Sequence, residues 1–208
     1  MRVMTHTRLP EQGPGRKRRN PKATHDRLVR AALDLFTTQG YHASTTPQIA
    51  RRAGVAEGTI YRHFPSKEQL LNEIYRGAVN HFMQFVTNAP GAISCRQRLR
   101  VIVENWVRVA SREPGLVKLV FVSPPTGLLD TRSQSVYRTM RNELEKVIAT
   151  GKAAGEIRPG PVDLWSDVWL QLVTLVLRRV AAAEWTPDQT ATKQVVDAAW
   201  AAISTRVS

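Results

Sequence analysis

A single cysteine, Cys95, in a chain of 208 residues cannot form an internal disulfide, and no metal-ligand spacing surrounds it. That usage fits a reducing compartment and makes Cys95 a structural thiol. Long apolar runs are missing as well. Residues 1–19 are polar, basic and turn-forming, unlike a secretory signal. The most apolar stretch, residues 168–176, is interrupted by Gln171 and Thr174 and bounded by Asp167 and Arg178, well short of a membrane span. These absences predict a soluble, cytoplasmic protein with no membrane partner. No Gly-rich phosphate loop, zinc spacing or nucleophile elbow occurs, and His6, His25, His42, His63 and His81 are scattered without the partners that catalysis needs. The expectation is no enzyme, no metal site and no cofactor.

Acidic residues are scarce: 17 Asp and Glu face 30 Lys and Arg, a formal net charge of +13 with a pI near 10.8. A polyanionic partner follows as a candidate. The excess is concentrated at the front, with 14 basic against 6 acidic residues over 1–80. Arg2, Arg8, Arg16, Lys17, Arg18, Arg19 and Lys22 precede any periodic apolar pattern, in a stretch broken by Pro10, Gly13, Pro14, Gly15 and Pro21. Residues 1–21 read as a flexible basic arm. Such an arm either serves solubility, is an artefact of the start site, or contacts phosphates or a minor groove.

From residue 24 onward, Leu28, Val29, Ala32, Leu33, Leu35 and Phe36 recur at helical intervals until Gly40 ends the pattern. Thr46 is placed as the N-cap of a second helix, with Pro47 at its first position and an end near Ala53. A turn at Gly54 and Val55 leads to a third helix over residues 57–63. Ser66 caps a fourth, with Ser66 to Gln69 an approximate capping box and a stripe from Leu70 to Val86 long enough to bridge into a second domain. Further helices are predicted over residues 96–111, 116–122, 133–154, 162–185 and 187–206, separated by Pro and Gly. No window alternates as a strand would. The fold class is therefore all-α with about nine helices, divided as an arm (1–21), an N-terminal three-helix domain (22–82) and a C-terminal helical domain (83–208).

Residues 45–64 have the layout of a helix-turn-helix: a capped helix, a Gly-containing turn and a second helix, held together by Ile49, Ala50, Ala53, Val55 and Ile60. The second helix of such a unit enters the major groove, so short or polar side chains are needed at its start. Gly58 and Thr59 meet that need. Thr46, Pro47, Tyr61, Arg62, His63 and Lys67 surround the reading helix as candidate backbone contacts. Each has a plainer reading: Thr46 can merely cap, Tyr61 can pack, and His63 can sit neutral at a helix end.

Residues 36–41 (Phe-x-x-x-Gly-Tyr), the threonine-led run over 46–55 with Ile49, Ala50, Ala53, Gly54 and Val55, and residues 58–67 (Gly-x-Ile-Tyr-x-His-Phe-x-Ser-Lys) closely resemble the signature of the tetracycline-repressor (TetR) family. The resemblance spans roughly residues 24–75. It implies a homodimer with two reading heads on double-stranded operator DNA, an all-α C-terminal domain that buries a small effector, and a coupling by which effector binding spoils the head spacing. It also implies repression as the commoner outcome. Glu57 departs from relatives that carry Lys there, because a carboxylate beside phosphates costs affinity unless it accepts from a cytosine amino group or faces solvent.

The family's last two helices pair into a four-helix dimer interface. Trp165, Val168, Leu172 and Val176, with Val196, Trp200 and Ile203, are the candidates here, since their helices are apolar over too wide an arc to be covered on one side. Phe82, Phe85, Trp106, Phe121, Tyr137, Met140, Trp169 and Val173 are candidates to line a pocket for a small hydrophobic or aromatic effector, although helically spaced aromatics also serve as plain core. The rival reading is an architectural nucleic-acid binder without sequence preference, for which the basic arm argues and the long apolar C-terminal half argues against.

Overall fold

The computed structural model describes residues 21–91 and 93–205; the basic arm expected over residues 1–21 lies, apart from Pro21, outside them. Among the described residues the chain forms nine α-helices and no strand: α1 (Pro21–Thr38), α2 (Thr46–Arg52), α3 (Glu57–His63), α4 (Lys67–Thr87), α5 (Cys95–Arg112), α6 (Pro114–Val117), α7 (Thr131–Ala153), α8 (Val162–Ala181) and α9 (Thr190–Ile203). A π-helical turn, Lys118–Val122, continues α6, and a short 3-10 turn, Thr126–Leu128, precedes α7.

Local chemistry sets most of these boundaries. Gly40 adopts φ +91° after α1, a conformation that costs glycine little. Ser66 caps α4 through the amide of Gln69 at 3.0 Å, but the reciprocal glutamine bond of a full box is not made. Ser94 and Gln97 form a complete capping box on α5, and Asp130 accepts from the Ser133 amide at 2.7 Å to start α7. The cap of α2 is Thr45 rather than Thr46. Its hydroxyl accepts from the Gln48 amide while the Gln48 side chain accepts from the Thr45 amide, so Pro47 falls one residue deeper than expected. The pair Thr45 and Gln48, three apart, was the sequence signal for that register.

The C-terminal helices are shorter than their apolar patterns. α8 stops at Ala181 instead of reaching 185, because Ala183 takes φ +57° and the amides of Glu184 and Trp185 both turn back to the Arg179 carbonyl. α9 ends at Ile203, where Ser204 pairs antiparallel with Ile157 and the Thr205 amide donates to the Glu156 carbonyl. One apolar core runs from Leu28 to Ile203. α4 joins the two ends of the molecule: Glu73 accepts from His25 of α1 at 2.6 Å, while Phe82 meets Trp106 of α5 at 5.8 Å between ring centres. No helix among the described residues is long and apolar enough to cross a membrane, and no group of three potential metal ligands occurs among them.

Candidate nucleic-acid interface

α2 and α3 are joined through Ala53 to Ala56, with Gly54 at φ +65° and the Val55 amide returned to the Ala50 carbonyl at 3.0 Å. Ile49, Ala50, Ala53 and Ile60 are buried between the two helices and Val55 is half-buried, as their spacing predicts. Burial of these five fixes which side of α3 is left over. Glu57, Gly58, Tyr61 and Arg62 are exposed. A Cβ at Gly58 would meet nothing within 4 Å, so the centre of the face is open. Tyr61 is 52% exposed, an unusual position for a large aromatic side chain, and its hydroxyl lies 2.8 Å from that of Thr46. That bond ties the first turn of α2 to the outer face of α3, and it occupies the hydroxyl that a capping role would have used.

Two of the expected contact residues are differently employed. Thr59 is buried, and its hydroxyl accepts from the Arg62 guanidinium at 3.2 Å, so it does not stand on the open face beside Gly58. At 100° per residue, Thr59 is turned well away from Tyr61, which left the helix period to decide against it. Lys67 donates to the carbonyls of Tyr41 at 2.9 Å and Ser44 at 2.8 Å, with its ammonium 4.1 Å from the Tyr41 ring centre. Two of its three N–H donors therefore hold the loop after α1 in place. Burial, helped by nearby Glu68, raises the Tyr41 phenol above its ordinary pKa. His63 is half-buried with its ring 6.2 Å from that of His25, and Pro47 is exposed on the first turn of α2.

Glu57 has a structural reason to be where it is. The N-cap of α3, Ala56, offers no side-chain cap, and an acidic residue in the first turn stabilises the positive end of the helix.

The candidate effector residues make a filled aromatic cluster. Phe82, Trp106 and Phe121 meet with centroid distances of 4.9 to 5.8 Å, and Trp169 lies 6.1 Å from Trp106. The Trp106 indole donates to the Phe82 carbonyl at 3.1 Å. Met140 and Val173 are fully buried, Tyr137 is half-buried, and Phe85 pairs edge-on with His81 instead of joining the cluster. Among these residues, Trp169 borders a narrow groove of about 20 Å³, open to the surface and shared with Leu99, Val103, Val196 and Trp200. These side chains fill space rather than surround it.

The dimer candidates divide. Val176 and Ile203 are completely buried inside the protomer, whereas Val196 and Trp200 are half-buried along a narrow groove beside α5. Trp165 is covered by the Arg158 guanidinium at 5.4 Å and packs against Gly160. Val168 and Leu172 remain on the outer side, half-buried, in line with Leu164 at 47% exposure and with Leu175. Leu164 and Leu175 were missed because a helix with apolar residues on more than one arc gives no preference for either.

A short helix with an open, glycine-centred face, braced by a capped helix and mounted on a larger helical body, defines a helix-turn-helix transcription regulator. A family model described as bacterial regulatory proteins of the tetR family matches residues 28–74. The fatty acid metabolism regulator protein of Bacillus subtilis (strain 168) is 24% identical over 147 residues, covering 69% of this chain and 75% of that protein. The repressor KstR of Rhodococcus jostii (strain RHA1) is 28% identical over 167 residues, covering 78% and 77%. Among solved structures, FadR from Bacillus subtilis in complex with stearoyl-CoA superimposes with a TM-score of 0.69 at 19% identity, over 84% of this chain and 97% of that one, a likeness of fold. Residues 28–74 thus form a helix-turn-helix domain of the TetR type. By name the first is a regulator of fatty acid metabolism and the second a transcriptional repressor.

Proposed function

We propose that the protein is a homodimeric repressor that grips palindromic operator DNA through two α2–α3 heads and releases it when a small apolar or aromatic effector enters the C-terminal helices. The observation that carries this reading is the outer face of α3, where Gly58 opens onto free space beside an exposed Tyr61 braced by Thr46. Gly58 admits the base edges. Thr46, Pro47, Tyr61, Arg62 and His63 contact phosphates, Lys67 contributes its remaining N–H, and Glu57 faces solvent or a cytosine amino group. Residues 22–82 act as the head and 83–208 as the effector and dimer unit.

Because the aromatic cluster is filled, an effector displaces rings instead of entering a void. Phe121 is the ring best suited to move, since it stands on the π turn Lys118–Val122, and such turns are frequent at functional sites. Motion there has two routes to the head. Upstream, Gly115 of α6 lies against Leu33 and Thr37 of α1. Downstream, the Leu128 carbonyl and Asp130 amide are held by Asn72 of α4. The fold shared with the stearoyl-CoA complex of FadR supports acyl compounds as the first effectors to try.

For the dimer, Leu164, Val168, Leu172 and Leu175 on α8 with Val195, Ala198 and Ala202 on α9 form two outward stripes at helical spacing, turned away from α5. The experiment is selection of bound duplexes from genomic DNA at fixed near-physiological salt, followed by sequencing. An imperfect palindrome supports the dimeric repressor, and its release by an acyl compound supports the effector class. Retention of DNA without enrichment favours the architectural binder instead.

A further inference from the structure

On the flank of α3 away from Thr46 and Tyr61 lies a second feature. A cleft of about 410 Å³ opens between the start of α1, the turn at Gly54 and the far side of α3. Thr24, Arg27, Gly54, Arg62 and His63 border it, and no Asp or Glu does. Among the described residues Arg27 has a 3.5 Å bond to the Thr24 hydroxyl and Arg62 its bond to Thr59. Among the described residues neither guanidinium has a carboxylate within ion-pair distance, whereas Arg52, Arg76 and Arg141 are each paired with an acid. The Arg27 guanidinium lies over the turn, 3.8 Å from where a Cβ on Gly54 would stand. Two unpaired forks thus share an acid-free concavity beside a turn whose backbone a ligand can approach closely.

The azimuths on α3 explain what that concavity can reach. At 100° per residue, Gly58 stands between Tyr61 on one side and Arg62 on the other. A helix seated in a major groove about 12 Å wide has a phosphate strand along each flank. If Gly58 faces the bases, Tyr61 and Thr46 reach one strand and the cleft reaches the other.

We infer that the Arg27–Arg62 cleft holds a phosphodiester of the DNA strand opposite the one contacted by Thr46 and Tyr61. Arg27, on a helix outside the helix-turn-helix pair, is then a second-strand anchor: both guanidiniums meet the phosphate oxygens, the Thr24 hydroxyl donates to them, and the acid-free walls leave the charge uncompensated until DNA arrives. The inference rests on the DNA-binding reading given above and adds to it a residue and a strand.

A phosphate contact carries no sequence information, so a random-sequence 30-bp duplex is a sufficient probe. Binding of the full chain is followed by fluorescence anisotropy across a salt series. One phosphate contact contributes about 0.9 to the slope of log affinity against log salt, which is about eight-fold in affinity between 1 M and 0.1 M salt. Arg27→Ala should lower the slope by about that amount and weaken binding about eight-fold at 0.1 M. Arg27→Lys should restore most of the slope, which a purely structural role for the guanidinium would not do. Arg112→Ala, an exposed arginine on α5, should leave both unchanged. Wild-type slope and affinity in Arg27→Ala, while Tyr61→Ala weakens binding, overturns the second-strand contact alone. Failure of the wild-type chain to bind any duplex overturns the DNA-binding reading with it.

Discussion

Replacing Asn72 with alanine should loosen the joint between α4 and α7 and cost about 2–3 kcal/mol of stability. Asn72 is 2% exposed, and its amide makes three hydrogen bonds. It donates to the Glu68 carbonyl at 3.0 Å and to the Leu128 carbonyl at 3.0 Å, and it accepts from the Asp130 amide at 2.9 Å. At about 1 kcal/mol net per bond the loss is about 3 kcal/mol, and the half-exposed 128–130 segment lets water recover part of it. Arg76 belongs to the same joint, donating to the Asp130 carboxylate at 3.1 Å and to the Ser133 hydroxyl at 3.0 Å. Asn72→Ala and Arg76→Ala should therefore be non-additive by at least about 0.5 kcal/mol in a double-mutant cycle. Urea unfolding at fixed protein concentration measures the first number. Hydrogen exchange supplies the local signature, with faster exchange of the amides at 130 and 133 and little change in α8 and α9. A stability change below 1 kcal/mol, or additive variants with unaltered exchange, would refute the view that this network holds α4 to the start of α7.

Other outcomes follow from the same geometry. Gly151→Ala puts a methyl 2.6 Å from the Cys95 Cβ and 3.1 Å from Ile157, and should destabilise by about 1–3 kcal/mol in urea melts; Cys95→Ala in that background relieves only part of this, because the Cβ contact survives. Burial, with a smaller contribution from Glu156, pushes the Cys95 thiol up to about 12, so alkylation at pH 8 should be negligible in the folded protein and rapid in denaturant. The Ser133 backbone N–H, followed by weaker Ser133 and Arg76 contributions, lowers the Asp130 pKa below its ordinary 3.8. A carboxyl depressed in the folded state stabilises above its unfolded pKa and ceases to do so as pH falls through the folded value, so the urea midpoint should decline below about pH 4, less steeply in Asp130→Asn. Leu175→Glu should convert a dimer to monomers in light scattering while leaving the helical signal intact; persistence of the dimer would sink the proposed α8 and α9 stripes.

Caps, breaks and periods were legible in the sequence because they are local. Gly40, Pro65 and Ser66 limit helices through their own backbone and hydroxyl chemistry, and Ile49, Ala50, Ala53 and Ile60 fall on one side of a helix pair whatever surrounds it. The all-α class and the helix-turn-helix followed from those signals alone. The tertiary structure decided whatever depends on which of two plausible partners a group meets. Thr45 and Thr46 are chemically alike as caps, and the position of Tyr61 assigned one hydroxyl to the cap and the other to α3. Lys67 is a free cation by sequence and a loop tie by structure, since the Tyr41 and Ser44 carbonyls converge on it. Arg27 is an ordinary residue of α1 until the fold brings it beside Arg62. On α8, apolar residues cover nearly every arc, so periodicity cannot rank Val176 against Leu175; the fold buries the first and leaves the second half-exposed, because only packing distinguishes the two sides of a helix that is apolar on both.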